Sequence, residues 1–193
     1  MLLRRRRSVV SQGRRFDVPR GVFNPEVHLS GVAFANHLAD ELDHYIAPQS
    51  RVLDLGTGCG ILAAVVCENA ARTVASDANP EAVECAARNL AGLSIEVLCG
   101  DLFEPVRGER FDIVVCNPPY DIGPSRDRSL GSPDFLARFG REVHDHADTV
   151  LLAYPADEAE NLDLTGLAFE LDHRIRTKGE DLGIFVATTA SLQ

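Results

Sequence analysis

Four consecutive residues, Asn117-Pro118-Pro119-Tyr120, carry the most specific chemistry in this sequence. They follow residues 111–116, a short apolar run that reads as a β-strand. The two prolines restrict the backbone on either side, so the Asn carboxamide and a main-chain carbonyl are held toward whatever lies beyond the strand end. Two such oxygens can accept both hydrogens of an amide or amino NH2. That pulls the nitrogen out of conjugation and aims its lone pair at an electrophilic carbon, a task of orientation that needs no strong base. Tyr120 offers a face to a planar group. Without further context the same residues would be only a proline-rich loop with Asn as its turn residue.

Three upstream features supply that context. Residues 51–55 form an apolar strand that empties into Gly56-Thr57-Gly58-Cys59-Gly60. Glycines at such a strand–helix turn let backbone approach a ligand closely. Their spacing is GxGxG, whereas a dinucleotide pyrophosphate calls for GxGxxG ahead of the helix. The spacing therefore points to a nucleoside cofactor without phosphate, such as S-adenosylmethionine, and away from a nicotinamide dehydrogenase. Asp77, about 20 residues further on at the end of the next strand, can accept both ribose hydroxyls. It can equally serve as an N-terminal charge for the helix that Asn79 caps. Gly100-Asp101 follows a third strand, and Asp101 can accept an adenine amino group or be an ordinary turn residue.

The elements that must position these residues alternate along the chain. A helix is expected over residues 30–46, with Ser30 as N-cap and Pro48 as stop. Strands are expected at 51–55, 73–76, 95–99, 111–116, 149–154, 169–176 and 183–188, and helices at 61–71, 80–90, 133–147 and 157–162. Pro80 sits at the first position of its helix, after Asn79. Strands alternating with helices imply an α/β domain whose mostly parallel sheet is covered on both faces. The last two strands have no helix between them and should form an antiparallel hairpin at one edge.

Composition sets the bounds. The chain has 193 residues, 45% hydrophobic and 25% charged, as expected of one globular domain. No apolar run approaches the ~20 residues of a membrane-spanning helix. Arg4 to Arg7 are followed by no apolar stretch of the secretory kind. Five cysteines, none in CxxC spacing, suggest reduced thiols and a cytoplasmic setting. His144 and His146 have no evident third ligand, so no metal is expected. His37 and Glu41, one helical turn apart, read as an exposed pair.

Charge is uneven: residues 1–20 hold seven Arg and one Asp, against a net charge of −10 for the whole chain. The acidic body is a poor general phosphate binder. The first 20 residues read as a flexible Arg-rich arm that could touch RNA, a ribosome or an acidic partner. The domain proper is then 21–193. A loop at 121–132 bearing Arg126 and Arg128 could close over a substrate.

Taken together, VLDLGTGCG, ASDANPEAVECAARN and FDIVVCNPPY resemble the first, second and fourth motifs of the class I methyltransferases. The resemblance covers roughly residues 20–190. Asn-Pro-Pro-Tyr narrows it to N-methyltransferases, above all the HemK-like release-factor glutamine methyltransferases and related rRNA guanine and DNA adenine enzymes. The resemblance implies a single Rossmann-like domain with a seven-stranded sheet and S-adenosylmethionine as cofactor. It implies cofactor contacts at Asp54, Gly56, Gly58, Gly60, Asp77, Ala78, Asp101, Leu102 and Asn117. It places Asn117, Pro118 and Tyr120 at the target nitrogen. The segment Gly21-Val22-Phe23-Asn24-Pro25 resembles the family's lead-in to its first helix, so Phe23, Pro25 and His28, with Pro119 and Tyr120, are expected near the substrate. The sequence departs from the pattern in two places: few residues precede the first motif, and Glu26-Val27-His28-Leu29-Ser30 replaces an acidic residue and Thr. The acceptor is therefore open between a release-factor-like protein, RNA and a small-molecule amine. A monomer or a dimer is expected, with room for an activating partner subunit. A reading of another class is a non-catalytic subunit that binds S-adenosylmethionine, against which the intact Asn-Pro-Pro-Tyr argues.

Overall fold

The structure, a computed structural model, describes residues 7–23, 30–118, 134–176 and 181–189. Seven strands, β3 (Arg51–Leu55), β4 (Arg72–Asp77), β5 (Ile95–Cys99), β6 (Phe111–Cys116), β7 (Ala147–Pro155), β8 (Glu170–Arg176) and β9 (Asp181–Thr188), form one sheet in the order β5-β4-β3-β6-β7-β9-β8. The pairs from β5 through β7 are parallel, and β9 is antiparallel to both β7 and β8. This is the expected α/β sheet with its hairpin at one edge.

Burial along the central strands shows why both faces must be covered. On β3 Val52 packs into one apolar cluster and Leu53 and Leu55 into the other. On β6 Ile113 and Val115 belong to the first cluster, and Val114 and Cys116 to the second. Successive side chains leave a strand on opposite faces, so a strand apolar at every position needs a layer on each side. The first layer is α1 (Ser30–Asp40), α3 (Ile61–Val66) and α4 (Pro80–Asn89). The second is built around α5 (Asp134–Val143) with Phe103, Phe139 and Leu162. Gly140 of α5 comes so near Thr165 that a Cβ there would meet the Thr165 carbonyl.

Three expectations change. Residues 7–18, read as part of a flexible arm, form a hairpin of β1 (Arg7–Ser11) and β2 (Arg14–Val18). Gln12 and Gly13 turn it, both with positive φ, as a two-residue hairpin turn requires. The arginines had masked an alternating pattern in which Val9, Phe16 and Val18 are buried in the core. Arg14 anchors the hairpin by donating to the Asn89 carbonyl at 2.7 Å and the Ala91 carbonyl at 3.3 Å. The Asp17 amide donates to Asn89 Oδ1 at 3.0 Å. Second, the helix expected over 30–46 breaks at Glu41, and a short α2 (Leu42–Tyr45) follows. Ile46 then takes an extended conformation and is buried in the core. Third, the helix expected over 61–71 ends at Val66, because the chain must turn to bring Ala71 N–H onto the Ser50 carbonyl and start β4.

His37 is no exposed pair with Glu41. Its Nε2 lies 2.9 Å from the Tyr45 hydroxyl, its ring stacks on His173 at 4.4 Å, and Tyr45 donates to Asp172. This network ties α1 and α2 to the edge strand β8. His146 stacks flat on Phe103 at 4.7 Å with its Nδ1 2.9 Å from the Glu109 carbonyl, a packing role. Among the described residues no group of three His, Cys, Asp or Glu is placed to hold a metal ion.

Candidate active site

The sheet order brings the sequence motifs together. In Cα register Leu55 faces Ser76 on one side and Cys116 on the other, and Asp77 faces Cys99. The Gly-rich turn, Asp77, Gly100-Asp101 and Asn117 therefore emerge from the carboxyl ends of four adjacent strands. From β3 the chain steps to β4 on one side, and β6 fills the other, so the strand order reverses there and a crevice opens. A cavity of about 560 Å³ occupies it. Of the residues singled out in the sequence, Gly56, Gly58, Asp77, Ala78, Asp101, Leu102, Asn117, Pro118 and Phe23 line it. Pro25, His28, Pro119, Tyr120 and the Arg126–Arg128 loop lie outside the described residues.

The turn is held from beneath. Gly56 and Thr57 both donate their amides to the Ser76 carbonyl at 2.9 Å. Gly58 N–H donates to Asp77 Oδ2 at 2.9 Å, and Asn79 N–H to Asp77 Oδ1 at 2.8 Å. Gly56 and Gly58 have φ of +75° and +57°, and nothing lies within 4 Å of where a Cβ would stand. Side chains there would be strained and would project into open space along the cavity wall.

Two expected cofactor contacts are corrected. Asp54 is fully buried and does not line the cavity. Its Oδ2 accepts from the Thr57 hydroxyl at 2.7 Å and from Ala63 N–H at 2.9 Å, so it braces the turn against α3. Gly60 also stands off the cavity. A Cβ on it would meet Leu90 Cγ at 2.9 Å and its φ is +89°, so this glycine serves a left-handed turn pressed close to Leu90 at the start of α3.

Burial pushes the Asp54 carboxyl up to about 7, against the opposing hydrogen bonds from Thr57 and Ala63. The folded chain thus holds that proton more tightly than the unfolded chain. Its contribution to stability is complete below the ordinary carboxylate range and is lost as pH rises through about 7. Asp54→Asn keeps an oxygen for Thr57 and Ala63 and removes the titration. Urea unfolding at pH 5 and pH 8 should show the wild type losing more stability than the variant over that interval, by on the order of 1 kcal/mol or more. Equal losses would mean that Asp54 is not protonated when buried.

Asp77 is also raised, by burial, against the backbone amides of Asn79 and Gly58. Each of its oxygens takes one amide, which leaves lone pairs on both for further donors. Asp101 is engaged: Arg138 of α5 forms an ion pair with its Oδ2. The pair is half-exposed, so it is weak and labile. Leu102, next to it, has a φ of +46°, a left-handed backbone that a branched side chain rarely adopts and that clusters at functional sites.

At the end of β6 Asn117 Nδ2 donates to the Ser30 hydroxyl at 3.4 Å. Asn117 Oδ1 is buried and has no hydrogen-bond partner among the described residues. Sequence reasoning missed two participants here. Ser30, fully buried, had been read only as a helix cap; it is the first residue of α1. Phe135 of α5 lines the cavity and belongs to an apolar helix stripe that gives no sign of a ligand.

Among the described lining residues there is no Lys, Arg or His. The described part of the wall therefore offers acceptors to hydroxyl and amino donors and no cation to a phosphate. Open sheet order and crevice together define a Rossmann-like α/β protein of the class I methyltransferase kind. The methyltransferase small domain family matches residues 16–137, more than half of the chain, and the chain belongs to that family. A release factor glutamine methyltransferase of Xylella fastidiosa is 48% identical over 41% of this chain and 30% of its own length. A ribosomal protein uL3 glutamine methyltransferase of Bordetella pertussis is 29% identical over 84% of this chain and 57% of its own. The chain thus spans less than two thirds of these curated relatives. Among solved structures, a T. thermophilus 16S rRNA methyltransferase in complex with AdoMet and guanosine has a TM-score of 0.65 at 22% identity, over 95% of this chain and 50% of that one.

Proposed function

We propose that this chain is an S-adenosylmethionine-dependent N-methyltransferase that acts on an amide or amino nitrogen, with a protein glutamine ranked ahead of an rRNA base and a small-molecule amine behind both. One observation carries the nitrogen chemistry: Asn117 lines the cavity at the end of β6, and its buried Oδ1 has no hydrogen-bond partner among the described residues. A buried acceptor without a partner is costly unless a ligand completes it. The cofactor reading is supported by the absence of Lys, Arg and His among the described lining residues and by the acceptors Asp77 and Asp101.

S-adenosylmethionine supplies, when bound, a sulfonium methyl that a nitrogen lone pair can attack. Asp77 would hold the ribose hydroxyls and Asp101 the adenine amine, with Gly56, Gly58, Ala78 and Leu102 as the wall. Asn117 Oδ1, with a main-chain carbonyl at Asn117-Pro118, accepts the hydrogens of the acceptor nitrogen and orients its lone pair. Pro118, buried and next in the chain to Asn117, restricts that backbone. Phe23 and Phe135, with Tyr120 as expected from sequence, supply apolar faces for a planar group. Relatives named for release factor and ribosomal protein support a cytoplasmic setting for the reaction.

The test is transfer of tritiated methyl from S-adenosylmethionine into release factor, ribosomes and a pool of small-molecule amines, run side by side. Label in the release factor or a ribosomal protein, released as N5-methylglutamine on proteolysis, supports the first ranking; label in rRNA moves the acceptor to a base. No label in any pool, together with no thermal stabilisation by S-adenosylmethionine, sinks the reading.

A further inference from the structure

We infer that Ser30 is a positioning residue for the Asn117 carboxamide, holding that side chain from α1. The inference rests on the reading of Asn117 given above. A carboxamide has one accepting and one donating end, and only the oxygen can receive an N–H from the acceptor. If the group turned over, its own NH2 would face the acceptor's NH2, two donors in opposition. Asn117 Nδ2 is occupied by the Ser30 hydroxyl at 3.4 Å, and the end left over is Oδ1, buried and unpartnered. Ser30 is itself fully buried at the start of α1, and the next residue, Gly31, lines the cavity beside Asn117. The contact joins positions 87 residues apart, so α1 sets the amide from a different layer than the strand that carries it. A hydroxyl on a fully buried helix residue has little freedom to follow a moving partner, which makes it a suitable anchor.

Ser30→Ala removes the anchor and one oxygen atom and leaves the cavity wall in place. Relative to wild type, kcat for methyl transfer into the pool that the wild type labels should fall about tenfold, the scale of one hydrogen bond. The KM for S-adenosylmethionine should stay within about twofold. Ser30→Thr keeps the hydroxyl and should restore kcat per folded molecule. A merely structural serine would instead lower the unfolding midpoint in Ser30→Ala and leave kcat per folded molecule unchanged, which overturns the inference. Hydrogen exchange of the Asn117 side-chain amide, read by 15N NMR on the full chain, needs no acceptor. It should be several-fold faster in Ser30→Ala, and equal exchange overturns the inference whatever the labelling shows. Should the wild type label no pool, the proposed reaction fails and the amide exchange still decides whether Ser30 holds Asn117.

Discussion

Replacing Asn117 with alanine should cut methyl transfer by at least about 10²-fold while leaving S-adenosylmethionine affinity within a few-fold. The size of the loss follows from what the residue supplies. No group among the described lining residues is placed as a strong base, so the site works by orientation, and misplacing a reacting group costs on that scale. The selectivity follows from position. Asn117 leaves the end of β6, while the turn and Asp77 that would hold the cofactor leave β3 and β4. Alanine removes the unpartnered Oδ1 and also its neighbour's contact, since Ser30 loses the Nδ2 donor. The measurement is the single-turnover rate of tritiated methyl transfer, paired with calorimetric titration of cofactor. Retained turnover would show that the target nitrogen is held elsewhere. Lost affinity with retained turnover at saturating cofactor would move Asn117 into the cofactor subsite.

Asp77→Ala should show the opposite split: cofactor affinity falls by roughly 10²-fold or more, with most turnover recovered at saturating cofactor. Hydrogen bonds to a charged acceptor are worth about 1.5–3 kcal/mol each, and two ribose hydroxyls would share this carboxylate. The carboxylate also holds the turn itself. Both Gly58 N–H and Asn79 N–H donate to it, so the variant frees two donors at the mouth of the cavity. The lost affinity therefore has a direct part and a part from slackening of the Gly58 loop. Asp77→Asn separates them: its single oxygen can keep one amide and its NH2 cannot accept a hydroxyl. It should bind less tightly than wild type and more tightly than alanine. Affinity unchanged in both variants would mean that the ribose does not sit at Asp77.

How much of this was legible depended on the range of the interaction. The strand beginning at Arg51, the Asn79–Pro80 start of α4 and the strands at 95–99 and 111–116 match their expected ends because their signals are local. Alternating apolar residues, a side chain that caps the amide two residues on, and a proline at the first helical position all act within a few residues. The hairpin at residues 7–18 was missed because arginine was read as solvent-seeking. Arg14 instead spends its guanidinium on carbonyls of Asn89 and Ala91, more than 70 residues away. The break at Glu41 and the His37–Tyr45–Asp172 network were likewise hidden, since their partners lie on β8.

The site divides along the same line. From sequence alone came the kinds of atoms on offer, Gly56 and Gly58 without side chains, carboxylates at Asp77 and Asp101 and the carboxamide of Asn117, and the placing of each after a strand. The strand order was a tertiary matter: β6 lies beside β3, so motifs 60 residues apart share one cavity. Tertiary structure also sorted contact from support among residues of one motif. Asp54 and Gly60 sit in the same nine-residue stretch as Gly56 and Gly58, yet one is sealed beneath the turn and the other pressed on Leu90. Successive side chains of a strand and turn face opposite ways, and only the layers packed on each side decide which face becomes wall and which becomes core. Ser30 belongs wholly to this second kind: no spacing in the chain relates it to Asn117, and only the packing of α1 against the sheet brings the hydroxyl to the amide.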